Sequence, residues 1–257
     1  MTAGRELNGP AQLPPGYEIA PGYQVVEHVR RGEDLDCYEV WSDRRYCLCF
    51  VKTLRPDRYD DAHASEHLLH EGRLLLSLTH PHLVRAYELV TGEGQPPVLV
   101  LETLAGDTLG YLLDQSVRLA GPELGFLGQH LCSAVRYLHG CGYLHLDVKP
   151  SNIIAEYGRA KLIDLSLARR PGRCRGGLGT EGYRAPEQEH GGELGPPTDV
   201  WGIGTVLAEA SDGQELPDRV ARTIEQCRQV DPVRRPTVAA LHAALEELTE
   251  AEPSPVG

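Results

Sequence analysis

The chain has 257 residues, 41% of them apolar, and carries 25 Lys and Arg against 37 Asp and Glu, a formal charge of −12. A chain of this length buries roughly 70% of its unfolded surface and holds a core without disulfides or metal, which excludes a peptide scaffold and a disordered chain. The negative field repels nucleic acid and anionic membrane, so no nucleic-acid partner is expected and any basic patch must be local.

Residues 1–20 carry Pro10, Pro14 and Pro15 among small and polar side chains and read as a flexible N-terminal arm. YQVVEHV, CYEVW and YCLCFVKTL, between Tyr23 and Leu54, read as three antiparallel strands parted by the turn-prone RRGED and SDRR. A helix is predicted from Ala62 to Leu78, stopped by Thr79, His80 and Pro81. LVRAYELV and PVLVLET supply two more strands, with the turn between Gly92 and Pro97. Five strands and one helix make a small first lobe.

From Gly106 on, helical spacing dominates. Leu124, Leu127, Leu131, Val135 and Leu138 form one apolar stripe on a helix of about 17 residues. Short strands follow at Asn152–Ala155 and Ala160–Leu165, then helix-like PDRVARTIEQCRQV and a last helix with Val238, Leu241, Leu245 and Leu248 inward. AEPSPVG at 251–257 reads as a C-terminal tail. Sheet first and helices second is an α+β order. No run of 18 apolar residues occurs and the first residues lack the apolar core of a signal peptide, so no membrane span and a cytoplasmic location are expected. Seven cysteines without a CxxC pair read as reduced thiols; Cys47 and Cys49 share a strand face but make a poor zinc site alone.

Lysine is scarce: Lys52, Lys149 and Lys161 stand against twenty-two arginines, and Asn occurs only at 8 and 152. Lys52 ends an apolar strand and Lys149 lies in HLDVKPSN, places that suit a compact ammonium. His145, Asp147, Lys149 and Asn152 fall within eight residues, a pattern open to a capped turn as well as to chemistry. Asp164, seventeen residues beyond Asp147, tips the balance, because the strands between them can fold back as a hairpin that brings both carboxylates together. Hard oxygen ligands of that kind suit Mg²⁺.

In their shared order, HLDVKPSN (145–152), Asp164, GTEGYRAPE (179–187), DVWGIG (199–204) and DPVRRPT (231–237) resemble the eukaryotic-type Ser/Thr protein kinases, as a compact and divergent bacterial member. The resemblance covers about 23–248. It implies a two-lobed fold with a small antiparallel-sheet N-lobe and hinge at 21–104, carrying one main helix, and a mostly helical C-lobe at 105–250. It further implies transfer of the γ-phosphoryl group of ATP to Ser or Thr of a protein substrate, with Mg²⁺, or Mn²⁺, as the metal. Asp147 would be the catalytic base and Lys149 would steady the phosphoryl group; Asn152 and Asp164 would hold the metal. Lys52 would contact nucleotide phosphate and pair with Glu71, Glu66 being the other acid on that helix. Leu101 would border the adenine pocket, with Glu102, Thr103 and Leu104 as the hinge. Thr180 would touch the catalytic loop, Glu187 would pair with Arg235, and Asp199 belongs to the structural part of the pattern.

Departures from the family pattern matter as much. Of three loop glycines only Gly32 remains; Leu35 and the acids Glu33, Asp34 and Asp36 weaken the expectation of tight ATP binding, with Arg30 or Arg31 as the compensating charge. Ser166 stands where glycine's freedom at positive φ is usual, restricting the segment's motion. Leu146 replaces the arginine before the catalytic Asp, and residues 167–179 contain no hydroxyl side chain, so control by phosphorylation in that loop is not expected. The arginines at 169, 170, 173 and 175 can instead attract acidic substrates. Only 26 residues separate Gly204 from Asp231, which leaves surface for a regulatory protein partner. The alternative function is a pseudokinase, a nucleotide-sensing or scaffolding module.

Overall fold

The computed structural model describes residues 11–250, so residues 1–10 of the expected arm and the expected tail at 251–257 lie outside the described residues. The chain forms a two-lobed α+β fold. One compact unit takes the residues up to Thr79 together with Arg85–Leu104; the other takes His80–Val84 and the residues from Ala105 on.

The first unit is a six-stranded antiparallel sheet in the order β1-β2-β3-β4-β6-β5, with β1 at Glu18–Ala20, β2 at Tyr23–Arg31, β3 at Leu35–Ser42, β4 at Cys47–Leu54, β5 at Ala86–Gly92 and β6 at Gln95–Glu102. Period-two alternation sets its faces. Tyr38 and Val40 of β3, Cys49 and Val51 of β4 and Val98 and Val100 of β6 bury together. Lys52, opposite Cys37 on one side and Leu99 on the other, stands on the opposite face. Helix α1 (Ala62–Ser77) starts where the Asp61 carboxylate accepts hydrogen bonds from the His63 and Ala64 amides, and Leu68, Glu71, Gly72, Leu74 and Leu75 are buried along it. Its Gly72 meets Leu89 of β5.

Two expectations change here. The second half of the arm is not loose: β1 pairs with β2, and the Leu13 amide donates to the Tyr38 hydroxyl at 3.1 Å. Small and proline-rich residues hid a sixth strand of only three residues. Leu83 and Val84, read as the start of a strand, instead belong to the second unit, where Leu83 bridges Leu162 and the Val84 amide donates to the Leu162 carbonyl.

The second unit holds β7 (Asp107–Thr108), α2 (Leu109–Asp114), α3 (Gly121–Gly140), β8 (Ile153–Glu156), β9 (Arg159–Leu162), β10 (Gly172–Cys174), α4 (Pro186–Glu189), β11 (Gly192–Leu194), α5 (Pro196–Ala210), α6 (Asp218–Cys227) and α7 (Val238–Thr249). The leucine stripe of α3 is buried, and α3 packs against α5, α7 and β9. Helix α3 is longer than its apolar stripe, because Pro122 and a Glu123 carboxylate that accepts from the Ala120 amide extend its start. Strands β8 and β9 form a hairpin whose two turn residues, Tyr157 and Gly158, are both left-handed. Among the described residues no helix is long and apolar enough to cross a membrane.

Candidate active site

Helix α5 organises the second unit's polar centre. The fully buried Asp199 carboxylate accepts from the His145 amide (2.9 Å), the Leu146 amide (2.8 Å) and His139 Nε2 (2.8 Å). Donors aimed at one buried carboxylate fix the loop at 145–147, including the left-handed Leu146 at φ 67°. Asp147 is buried, and both of its oxygens are engaged. Oδ1 accepts from the Thr180 hydroxyl at 2.8 Å and the Thr180 amide at 3.0 Å; Oδ2 meets Lys149 Nζ at 2.7 Å and Asn152 Nδ2 at 3.0 Å. Lys149 Nζ also donates to the Thr180 hydroxyl at 2.6 Å.

The β8–β9 hairpin brings the second acid back. The Ile163 amide donates to the Asn152 carbonyl at 2.9 Å, which sets Asp164 beside the loop of Asp147. His145 reports the convergence: burial pushes its imidazole below the ordinary range, against an upward pull from Asp199, Asp147 and Asp164. Asp164 is left-handed at φ 68° and its Oδ1 accepts from the Ser166 amide at 3.1 Å. Ser166 is not at positive φ, so the glycine freedom expected at that position goes unused; Asp164 carries the unusual backbone instead.

Asn152 donates its amide hydrogens to Asp147, leaving Oδ1 as its acceptor atom. Among the described residues no group of three or more His, Cys, Asp or Glu side chains is placed to hold a metal. An amide oxygen and a carboxylate completed by phosphate and water oxygens match the way Mg²⁺ binds, without a protein cage.

Apolar burial and side-chain hydrogen bonds hold the segment between Asp164 and Glu187. Leu146, at the place of the family's arginine, is buried with Leu144 and Leu194, and Cys174 and Leu178 pack on them. Gln188, which the sequence reading passed over, is buried; its side-chain amide donates to the Leu146 and Leu178 carbonyls and its oxygen accepts from the Ala185 amide. Gly179 is left-handed at φ 97°, and a Cβ there would stand 2.9 Å from the Leu146 carbonyl. Below it, the Arg235 guanidinium is fully buried and places all five N–H groups: two on Glu187 (2.7 and 2.8 Å) and three on the carbonyls of Pro197, Gln229 and Val230. Burial alone would raise the Glu187 carboxyl, but the hydrogen bonds from Arg235 outweigh it and hold it below its usual range.

In the first unit Lys52 Nζ donates to Glu71 Oε1 at 2.7 Å, and Glu71 is buried; Glu66 is exposed. Leu101 is buried in β6 opposite Phe50, the Glu102 carboxylate accepts from the Arg85 amide at 2.9 Å, and Leu104 is half-buried at the unit's end. Gly32 opens a tight turn, its amide donating to the Leu35 carbonyl at 2.7 Å. Two expectations about this turn are corrected. Asp36 is not a loop acid: strand alternation turns it to the face of Tyr38 and Val40, where it is fully buried. Burial would raise its carboxyl, yet hydrogen bonds from Arg31 and His28 hold it below the ordinary range. Arg31 grips Asp36 at 2.7 and 2.8 Å through two nitrogens, so of the two arginines only Arg30 stays exposed beside the turn. Arg55, absent from the sequence reading, ties the turn down through the Gly32 and Glu33 carbonyls while pairing with Asp57.

Residues 23–232 match the family model of the protein kinase domain. A probable serine/threonine-protein kinase, PkwA of Thermomonospora curvata, is 30% identical over 58% of this chain and 24% of its own length. The serine/threonine-protein kinase RUNKEL of Arabidopsis thaliana is 36% identical over 79% of this chain and 15% of its own. PknA of Mycobacterium tuberculosis, also a serine/threonine-protein kinase, is 27% identical over 77% and 48%. The chain thus spans less than half the length of each of these relatives. With a family match across 210 residues and the motifs gathered around Asp147, the chain belongs to the protein kinase family, as a divergent member related to bacterial serine/threonine kinases.

Proposed function

We propose that the chain transfers the γ-phosphoryl group of ATP to a serine or threonine hydroxyl of a protein substrate. The observation that carries this reading is the state of Asp147: a carboxylate whose two oxygens are both anchored, by Thr180 on one side and Lys149 and Asn152 on the other. Phosphoryl transfer asks little covalent chemistry of a protein and much positioning, so a carboxylate fixed before the substrate arrives is suited to accept the hydroxyl's proton and orient its oxygen. Lys149 supplies positive charge beside that oxygen, and Lys52, held by Glu71, supplies an ammonium for nucleotide phosphate. Mg²⁺, held by Asn152 and Asp164 when bound, would neutralise charge on the transferred group.

A second reading, a pseudokinase, draws on the Gly32–Asp34 turn, where two of the family's three loop glycines are missing and Arg31 is committed to Asp36. Purified chain incubated with radiolabelled ATP, Mg²⁺ and a broad protein substrate tests the two. Label transfer that Asp147→Asn abolishes supports the enzyme. Nucleotide binding without transfer, across Mg²⁺ and Mn²⁺, leaves the pseudokinase.

A further inference from the structure

In a chain of charge −12, the sixteen residues from Leu165 to Thr180 contain four arginines and no acid. The four are Arg169, Arg170, Arg173 and Arg175, all exposed. Several arginines elsewhere stand in ion pairs, among them Arg31, Arg55, Arg184 and Arg235, while others such as Arg45 and Arg85 lie over the Tyr87 ring. Among the described residues none of the four makes an ion pair. Arg169 donates to the Arg173 carbonyl, and Arg170 lies 5.3 Å over the Tyr143 ring. Glu193 is the cross-strand neighbour of Arg173 but makes no ion pair with it.

The backbone that bears them is fixed to the loop of Asp147. Arg169 exchanges two hydrogen bonds with Leu144, at 2.8 and 3.1 Å. Cys174 packs into the cluster of Leu144, Leu146 and Leu194, and because strand side chains alternate, its neighbours Arg173 and Arg175 face outward. Five residues further on, Thr180 bonds Asp147 itself. Four exposed guanidinium groups are therefore carried on a segment fixed to the loop of the proposed base, with no ion pair among the described residues.

We propose that this basic ribbon selects protein substrates whose acceptor hydroxyl is flanked by several Asp or Glu residues, with Arg173 and Arg175 as the principal determinants of that specificity. The proposal rests on the reading of Asp147 as the site of transfer. Guanidinium forks pair with carboxylates in a planar, bidentate manner, and each exposed pair adds modestly while several add together. The whole chain's negative field disfavours long polyanions, so a short acidic segment is the better match than nucleic acid.

The test is direct binding, read by fluorescence anisotropy on the purified full chain. One labelled peptide carries a serine flanked by Asp and Glu; its twin carries Asn and Gln at the same places. The acidic peptide is expected to bind on the order of tenfold more tightly at low salt, and the difference to shrink as NaCl rises from about 0.05 to about 0.5 M. The double variant Arg173→Glu, Arg175→Glu should reverse the preference toward a peptide with Lys at those places, a gain that a misfolded protein cannot give. Equal binding of acidic and neutral peptides by the unaltered chain overturns the proposal, as does an acidic preference that the double variant keeps. Equal competition by a single-stranded oligonucleotide of matching charge overturns the peptide assignment. Radiolabel transfer to the same peptides separates the two readings. A binding preference without transfer refutes the proposed activity alone, and transfer without a preference refutes the acidic specificity alone.

Discussion

Thr180→Val removes one hydroxyl and almost no volume. That hydroxyl donates to Asp147 Oδ1 at 2.8 Å and accepts from Lys149 Nζ at 2.6 Å, so it touches both charges of the proposed transfer site. The valine variant keeps the Thr180 amide bond to Oδ1 at 3.0 Å and the Lys149–Asp147 pair at 2.7 Å, so neither charge is stranded. Hydrogen bonds to charged groups contribute about 1.5–3 kcal/mol, and with partial compensation the lower part of that range applies. About 2 kcal/mol corresponds to roughly a 30-fold loss, falling on kcat rather than on the KM for ATP. Thr180→Ser keeps the hydroxyl and should retain activity to within about threefold. Thr180→Glu sets a carboxylate against Asp147 and should abolish transfer through like-charge repulsion. Steady-state kinetics on one peptide substrate, with urea unfolding to exclude a folding defect, measures all three. A valine variant within twofold of the unaltered chain, or a serine variant as impaired as valine, refutes the internal-contact role of this hydroxyl; so does activation by phosphate at Thr180.

Two further outcomes follow from buried groups. Arg235→Lys keeps the charge but loses the fork that serves Glu187 and three carbonyls, and should cost about 2–3 kcal/mol in urea unfolding, because buried acceptors are left without donors; a loss under about 1 kcal/mol would contradict the geometry. Burial pushes the His130 imidazole down to about 4, helped by His82 and Arg159, while its Nδ1 accepts from the Ala160 amide. The unfolded chain takes a proton there near pH 6.5 and the folded chain does not until about 4, so stability falls with pH across that window, by about 2 kcal/mol at pH 5. His130→Asn keeps an acceptor for Ala160 and cannot titrate; urea midpoints measured from pH 7 to pH 5 should flatten by that amount, and an unchanged slope would acquit His130.

Apolar spacing foretold the leucine face of α3, the strands through Lys52 and the final helix, because burial of a periodic stripe is decided by the segment alone. The position of Asp36 was also legible: it shares parity with Tyr38 and Val40, which places it on the buried face, but charge made it read as a loop acid. Other features were beyond reach for a physical reason. Nothing local marks Gln188 or Arg55, whose importance comes from carbonyls 42 and 23 residues away that become their acceptors only after folding. The sequence showed that arginine is missing before Asp147; it did not show that Leu146 fits a pocket of residues as distant as 174, 178 and 194.

That pocket links the divergent positions to one another. An arginine before the proposed base is useful when a phosphate arrives to pair with it, and residues 167–179 offer no hydroxyl to carry one. A buried Leu146 removes the desolvation cost an unpaired guanidinium would bring, and anchors Cys174 and Leu178 by apolar contact instead. Docking of this segment rests on apolar burial, on Gln188 and on the Thr180–Asp147 bonds. The arginines of the same segment stay on the surface, with no ion pair among the described residues, and theirs is the charge that the proposed acidic specificity draws on.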